Sequence, residues 1–511
     1  MTERFYITTP IYYVNGAPHI GHAYTSIAAD VLARFKRLDG YDVFFLTGTD
    51  EHGQKVAQAA LAAGLDTQAH TDKISQDFRD MADAMGVSYD DYIRTTEQRH
   101  KDSCAALWKR IEASGDIYLG HYEGWYAVRD EAFYDESELK TNDAGVKVAP
   151  SGAPVDWVRE PSYFFRLSAW QDRLLEFYEQ HPDFIAPSSR KSEVLSFVKG
   201  GLHDLSVSRT TFNWGVPVPD APGHVMYVWL DALTNYITAA GFPDTSAPRW
   251  DFWPADVHFV GKDIIRFHAV YWPAFLMSAG IAPPTRISSH GWWVVDGEKM
   301  SKSLGNVVEP RLLAKTFGLD QIRYFLLREK PFGADGSLNH QAIISRMNVE
   351  LANDLGNLAQ RSLSLIAKNL DGKLPGRGPA TAEDTALLGA ANALPDLVRA
   401  CMDRQTFHEG LEDIWKVIRA SNAYIDHQAP WALRKTDPAR MAVVLRVLVD
   451  AIRVVATLLQ PFMPESIARM LDQLGVPPDA RSLADLGTPL MAGTVLPPPH
   501  GVFPRHVEPV A

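Results

Sequence analysis

The first fifty residues constrain the fold more than any other part of the chain. Phe5–Thr9 is a short apolar run of strand type, followed by a loop rich in proline, asparagine, glycine and tyrosine, Pro10–Pro18. Tyr24, Ile27, Ala28, Val31, Phe35 and Leu38 then recur at helical spacing and predict an amphipathic helix that Gly40 ends. Val43–Leu46 reads as a second strand, closed by Thr47-Gly48-Thr49-Asp50-Glu51-His52-Gly53. Strand, helix and strand of these lengths form a βαβ unit, which belongs in a parallel sheet covered by helices. Ligands of such sheets sit outside the carboxyl ends of the strands. His19, His22 and Asp50 are expected at that edge.

The rest of the chain, 511 residues in all, exceeds a single core and predicts several domains. From about Ile117 to Thr211 it is aromatic and turn-rich, as an insertion into the sheet would be. The sheet is expected to resume at Tyr227–Asp231 and Val257–Val260, with another strand at Trp292–Val295 before a lysine-bearing turn. Beyond Arg346 the pattern is helical: Met347, Leu351, Leu355, Leu358 and Leu365 form an apolar stripe. After a connector at Gly372–Pro379, helices are expected over Glu383–Leu397, Phe407–Tyr424, Arg440–Leu459 and Pro464–Leu474.

Cys104 and Cys401 are the only cysteines, too few for a disulfide framework or a four-cysteine zinc site. The start Met1-Thr2-Glu3-Arg4 has no apolar leader and no run is long enough to span a bilayer, which predicts a cytoplasmic protein with no membrane partner. Net charge is −12, mild evidence against nucleic-acid binding that a local basic groove would override.

Two clusters carry chemistry. His19 and His22 stand three apart at a helix start, where exposed N–H groups and the positive dipole end favour phosphate. Each imidazole can donate a hydrogen bond to charge developing on phosphorus; read alone, they are equally an incidental pair. Lys299 and Lys302 flank Ser301 in Lys-Met-Ser-Lys-Ser, with Gly297 before and Gly305 behind. Two ammonium groups on such a turn suit the β,γ-phosphates and departing pyrophosphate; a solvated lysine turn is the alternative. Asp50 at a strand end can receive an ammonium group or cap a helix. Asn357 and Arg361, four apart on one helix face, and Trp431 after Ala429-Pro430 suit single-stranded bases, or are a solvated face and a packed ring.

His19-Ile20-Gly21-His22 and Lys299–Ser303, in that order, resemble the two signatures of the class I aminoacyl-tRNA synthetases. The strings Ile7–His22, Gly48–Gly53, Tyr227–Asp231, Gly261–His268, Gly297–Asn306 and Asn422–Trp431 narrow the resemblance to the methionyl-tRNA synthetase family, over about Arg4 to Gly475. The resemblance implies an α/β fold: a Rossmann-like parallel-sheet catalytic domain (1–116 and 225–296) split by a connective-peptide insertion (117–224). It also implies a KMSKS-loop and stem-contact region (297–345) and an all-α anticodon-binding bundle (346–511). It implies a methionine pocket of Ile11, Tyr13, Trp229, Ala232, Leu233, Tyr236, Ile264 and His268, with Asp50 on the amino group. Gly21, His19, His22, Asp263, Lys299, Ser301 and Lys302 would engage ATP; His19, His22, Lys299 and Lys302 would be catalytic. Asn357, Arg361 and Trp431 would read the CAU anticodon of initiator and elongator tRNA(Met). ATP and Mg2+ would be required.

Two departures from the family pattern stand out. Where many members carry Cys-x-x-Cys knuckles, this chain reads Tyr126-Ala127-Val128-Arg129-Asp130-Glu131. No zinc is therefore expected, and Trp125, Tyr126, Phe133 and Tyr134 are expected to pack in its place. No dimerising oligonucleotide-binding domain follows the helices, so a monomer is expected. Isoleucyl-, valyl- and leucyl-specific relatives are much longer, and the cysteinyl ones usually need a zinc site. A non-catalytic tRNA-binding relative would have no need of pyrophosphate lysines, and nucleotidyltransferases of the superfamily are far shorter.

Overall fold

The computed structural model describes residues 2–130, 132–142, 144–295, 298–299 and 308–507, the side chains of Tyr122, Glu160, Glu298 and Lys299 excepted. Its centre is a parallel seven-stranded sheet. The order across it is Ile185–Ala186, Ile287–His290, Val257–Gly261, Arg4–Thr8, Asp42–Asp50 and Tyr12–Tyr13, with Asp91–Arg94 also paired to Asp42–Asp50. Strand alternation sorts side chains onto two cores. Phe5, Ile7, Val43 and Phe45 face one, and Tyr6, Phe44 and Leu46 the other. The first core runs without a break from these strands to Leu448, Ile467 and Phe503, so the parallel sheet and the helical bundle share buried apolar surface. Both cysteines are buried. Among the described residues no helix is long and apolar enough to cross a membrane.

The first helix, Ile20–Leu38, connects Arg4–Thr8 to Asp42–Asp50 and is buried along most of its length. The adjoining strand Arg4–Thr8 has neighbours reached by chain going both ways, to Asp42–Asp50 and to Val257–Gly261. That reversal opens a crevice at the carboxyl ends, the ligand position in such sheets.

One expectation fails. Tyr227–Asp231 is not a strand of the sheet; a two-residue strand, Val225–Met226, is followed by the helix Val228–Leu233, and the sheet resumes only at Val257–Gly261. Val228, Leu230, Ala232 and Leu233 are all buried. A short helix whose residues are all buried or, like Trp229, partly buried shows no polar stripe, so its sequence is that of a buried strand.

The insertion is an antiparallel sheet in which Ile117–Ala127 pairs with Asp156–Phe165 over ten residue pairs. At its tip Trp125 lies opposite Tyr134 and Tyr126 opposite Phe133. Trp125 meets Trp157 edge-on at 5.2 Å and the Tyr126 and Phe133 rings stand 4.6 Å apart. Ala127, Ala149, Ala153 and Val155 form a small core beneath, with Trp125 and Tyr134 packed against it. The expected aromatic packing is thus present.

The C-terminal half is a bundle of Asn357–Asn369, Ala382–Asp403, Phe407–Gln428, Pro430–Thr436, Pro438–Leu459 and Pro464–Gln473, entered through the π-helical segment Arg346–Gly356. Arg323, on the helix Leu319–Arg328, joins it to the sheet. Its fully buried guanidinium donates to Asp30 Oδ2 (2.6 Å) and to the carbonyls of Met85 (3.0 Å), Phe462 (3.1 Å) and Pro461 (2.9 Å).

Candidate active site and anticodon surface

His19 is the N-cap of the first helix, and His22 lies within its first turn. The Gly21 N–H donates to His19 Nδ1 (3.0 Å) and the His19 N–H to His22 Nδ1 (3.1 Å), a capping box built from imidazoles. The rings stack at 3.8 Å. An Nδ1 that accepts a backbone N–H carries no proton, so each neutral ring holds its proton on Nε2. Two Nε2–H donors therefore cap a helix start with no acidic residue in its first turn, a setting for anionic oxygen. Gly21 is required by space: a Cβ there would stand 2.8 Å from His19 Cε1.

The lysine turn is approached from both described sides. Glu298–Lys299 pairs with Trp293–Val295, Val294 opposite Lys299, and Trp293 meets Tyr24 of the first helix edge-on at 5.8 Å. At the other side the Ile20 N–H donates to Val308 O (3.0 Å), so the chain leaving the turn touches the helix start. Ser301, Lys302 and the flanking Gly297 and Gly305 lie outside the described residues, as does the Lys299 side chain. Asp263 is exposed at the carboxyl end of Val257–Gly261 and accepts from Trp292 Nε1 (3.2 Å).

Asp50 ends its strand and is buried, with Tyr13 as its register partner on the neighbouring strand. It does not cap the next helix, which starts at Gln54 after Gly53. Ile11, Tyr13, Trp229 and Ile264 are partly buried against the core that contains Leu233 and Tyr236, and Ala232 is buried beside them on the helix Val228–Leu233. Trp229 stacks on Phe267 at 3.7 Å. His268 donates from Nδ1 to Ile264 O (3.0 Å), so its Nε2 accepts the Tyr236 hydroxyl (2.7 Å). Ile11, Tyr13, Trp229, Leu233, Tyr236 and Ile264 therefore share one core, on which Tyr236 also binds His268.

Asp231, His100 and Cys104, which sequence reasoning gave no role, join His52 and Glu51 of the turn after Asp50 in a buried polar network. Asp231 is fully buried and takes His52 Nδ1 at 2.7 Å on one oxygen and His100 Nε2 at 2.7 Å on the other. Burial alone would raise its pKa, but the charge and hydrogen bonds of the two histidines outweigh it and lower it. Asp231 thus ties the helix of Trp229 and Ala232 to the turn after Asp50. Cys104 Sγ lies 3.2 Å from His100 Nε2; burial and then the Asp231 charge push its thiol well up. His100, Cys104 and Asp231 are the one group of three metal-type donors among the described residues. Their spacing is that of hydrogen bonds: nitrogen and oxygen ligands around tetrahedral zinc stand about 3.3 Å apart, by the Zn–N and Zn–O lengths. Glu51, also buried, receives Arg94 at 2.6 and 3.0 Å and Thr96 at 2.6 Å. No local signal marks these residues, since their partners lie up to 179 positions away.

Burial lowers the pKa of His268 to about 4 and that of His290, on the strand Ile287–His290, to about 4. The unfolded chain protonates near pH 6.5, so between 6.5 and 4 it binds protons the folded chain does not. Stability is therefore expected to fall as pH drops through that window, by about 2 kcal/mol per imidazole at pH 5. Melting temperatures at pH 7, 6 and 5 test this; a flat profile would contradict neutral, buried rings.

On the bundle, the Arg361 guanidinium lies 5.3 Å above the Trp431 ring and bonds Asp426 at 2.7 Å. Trp431 is 43 % exposed. Asn357 is exposed one turn before Arg361 on the same helix. The three predicted bases-reading residues thus share one surface.

Comparison with known proteins agrees with this layout. The family model "tRNA synthetases class I (M)" matches residues 5–363, and "Anticodon binding domain of methionyl tRNA ligase" matches 374–508. The methionine–tRNA ligase of Mesorhizobium japonicum is 58 % identical over 508 residues, covering 99 % of this chain and 98 % of that one. That of Mycobacterium bovis is 56 % identical, covering 99 % of both. The structure of Mycobacterium tuberculosis methionyl-tRNA synthetase in complex with methionyl-adenylate superposes with a TM-score of 0.97 at 56 % identity, covering 99 % of this chain and 100 % of that one. With a histidine-capped helix at the crevice of a parallel sheet, a helical bundle bearing Trp431 and relatives matched from end to end, this chain belongs to the methionyl-tRNA synthetase family of class I tRNA synthetases.

Proposed function

We propose that this chain activates L-methionine with ATP and passes it to tRNA(Met) through the residues described above. The methionine carboxylate attacks the α-phosphorus of ATP, and pyrophosphate leaves. The terminal ribose hydroxyl of the tRNA then attacks the adenylate carbonyl, and AMP leaves. No protein nucleophile is needed; rate comes from positioning and from donors aimed at developing charge. The observation that carries the reading is the imidazole capping box, which sets two Nε2–H donors at a helix start beside the sheet crevice.

In this reading His19 and His22 hold the phosphates in flight, with Lys299 and Lys302 on the pyrophosphate and Gly21, Ser301 and Asp263 on ATP. Asp50 receives the α-ammonium group. Ile11, Tyr13, Trp229, Ala232, Leu233, Tyr236, Ile264 and His268 enclose the thioether, whose soft sulfur suits aromatic faces. Asn357, Arg361 and Trp431 read the anticodon. The likeness to a relative bound to methionyl-adenylate supports this placement. Mg2+ enters with the triphosphate. Among the described residues of the insertion no group of three metal-type donors comes together, and the tip carries packed aromatic rings, which supports a reading without zinc. The chain works as a cytoplasmic monomer, divided as the sequence suggests.

The test is amino-acid-dependent ATP–pyrophosphate exchange over the twenty standard amino acids without tRNA. Exchange with methionine alone is expected. Exchange with another amino acid would overturn the pocket assignment but keep the mechanism; no exchange at all would overturn both.

A further inference from the structure

The helix Thr67–Ala84 carries none of the residues assigned above, yet it touches several parts of the site. His70 Nε2 donates to Val14 O (3.2 Å), just after the strand of Tyr13. Ser75 Oγ shares a hydrogen bond with Thr49 Oγ1 (2.8 Å), the residue before Asp50. Phe78 meets the His22 ring edge-on at 4.9 Å and stacks on Tyr12 at 5.5 Å. Tyr12 in turn stands edge-on to His22 at 5.0 Å, and its hydroxyl donates to His22 O (3.2 Å). The His22 ring is thus braced from this helix.

Asp77, the residue before Phe78, reaches to the other signature. It accepts a hydrogen bond from Arg311 Nη1 (2.8 Å), and Arg311 lies in the first turn of Pro310–Phe317, the helix that follows the lysine turn. Arg311 Nε also donates to Glu309 Oε1 (2.7 Å), and the Glu309 carboxylate caps that helix on the N–H groups of Arg311 (3.1 Å) and Leu312 (2.7 Å). The chain leaving the lysine turn is therefore held to two elements. Val308 O takes the Ile20 N–H of the histidine helix, and Arg311 takes Asp77 of the helix that braces His22. Among the described residues Asp77–Arg311 is the one ion pair between its two helices.

We propose that Asp77 and Arg311 are positioning residues for the activation step: their ion pair, through the helix Thr67–Ala84, keeps the chain leaving the signature lysines in register with the His22 ring. The proposal rests on the reading that Lys302 and His22 serve the same triphosphate. A single hydrogen bond at Val308 fixes one point and lets the chain pivot about it; a planar guanidinium held by two carboxylates removes the pivot. Such register matters because donors stabilise developing charge only when placed on it, and a displacement of about 1 Å can cost about 10²-fold in rate. Stability does not account for the pair. Its side chains are 30 % and 37 % exposed, and a pair this exposed contributes little to folding, while Phe78, Met81 and Ala82 anchor the helix in the core.

The test is methionine-dependent pyrophosphate exchange, with melting temperatures, for Asp77→Asn, Arg311→Gln, the double variant and, as reference, Lys302→Ala. Each single variant is expected to lose about fivefold in kcat, with the KM for methionine and the melting temperature unchanged. The double variant should be no slower than the slower single one, because either change already breaks the pair. Parental kcat in both single variants would overturn the proposal. So would losses that multiply in the double variant, or a melting temperature that falls along with kcat, which would make the role structural. Parental exchange by Lys302→Ala would instead overturn the reading of the lysines on which the proposal rests.

Discussion

Alanine at His22 is expected to slow methionine-dependent pyrophosphate exchange by about 10²–10³-fold in kcat, with the KM for methionine nearly unchanged. The argument starts from hydrogen-bond bookkeeping. His22 Nδ1 is occupied by the His19 N–H, so its proton sits on Nε2. In the proposed reaction alanine removes one of the two Nε2–H donors aimed at the charge that develops on phosphorus, and leaves only that of His19. The same substitution also removes half of a helix cap, which costs about 1 kcal/mol of stability. The two effects separate cleanly: a cap lost from a folded enzyme shifts melting slightly and leaves kcat alone. A folded variant with parental kcat would take His22 away from the reacting phosphate.

Arg323→Ala is expected to destabilise the protein by about 3–5 kcal/mol, seen as a lower melting temperature and early separation of the bundle from the sheet. The guanidinium satisfies three carbonyls and Asp30, all without access to water. Burial would raise the Asp30 pKa, and the charges of Arg323 and Arg34 more than reverse this. Without Arg323, Asp30 keeps Arg34 and the Ser88 N–H and hydroxyl but loses its buried countercharge. Lysine should restore little, since a point charge cannot reach four acceptors at once. By contrast, removing Lys416 from its surface pair with Asp413 should leave melting where it is, because exposed pairs contribute little. Unchanged melting of Arg323→Ala would mean that the apolar core alone holds the two halves together.

The parts of the fold legible in the sequence are those with a local period. The first helix announces itself through Tyr24, Ile27, Val31 and Phe35, and the strands through apolar runs between turns. The helix Val228–Leu233 hides because six residues without an exposed polar face show no period. Site residues follow the same division. His19 and His22 stand in one helical turn and are visible together, as are Asn357 and Arg361. Asp231, His52 and His100 come together from three elements, and nothing in any one of those elements says so.

The burial of Cys104 and Cys401 has a practical side. The thiolate is the form that reacts, and both thiols are pushed up by burial, Cys104 further by the Asp231 charge. Toward maleimides the native surface thus behaves as though it carried no cysteine. Leu312, 62 % exposed on the helix Pro310–Phe317 just beyond the lysine turn, is then a position where one introduced thiol would take a fluorophore alone. A dye there would report on the chain around the signature lysines during turnover, in an enzyme whose own two cysteines need not be removed.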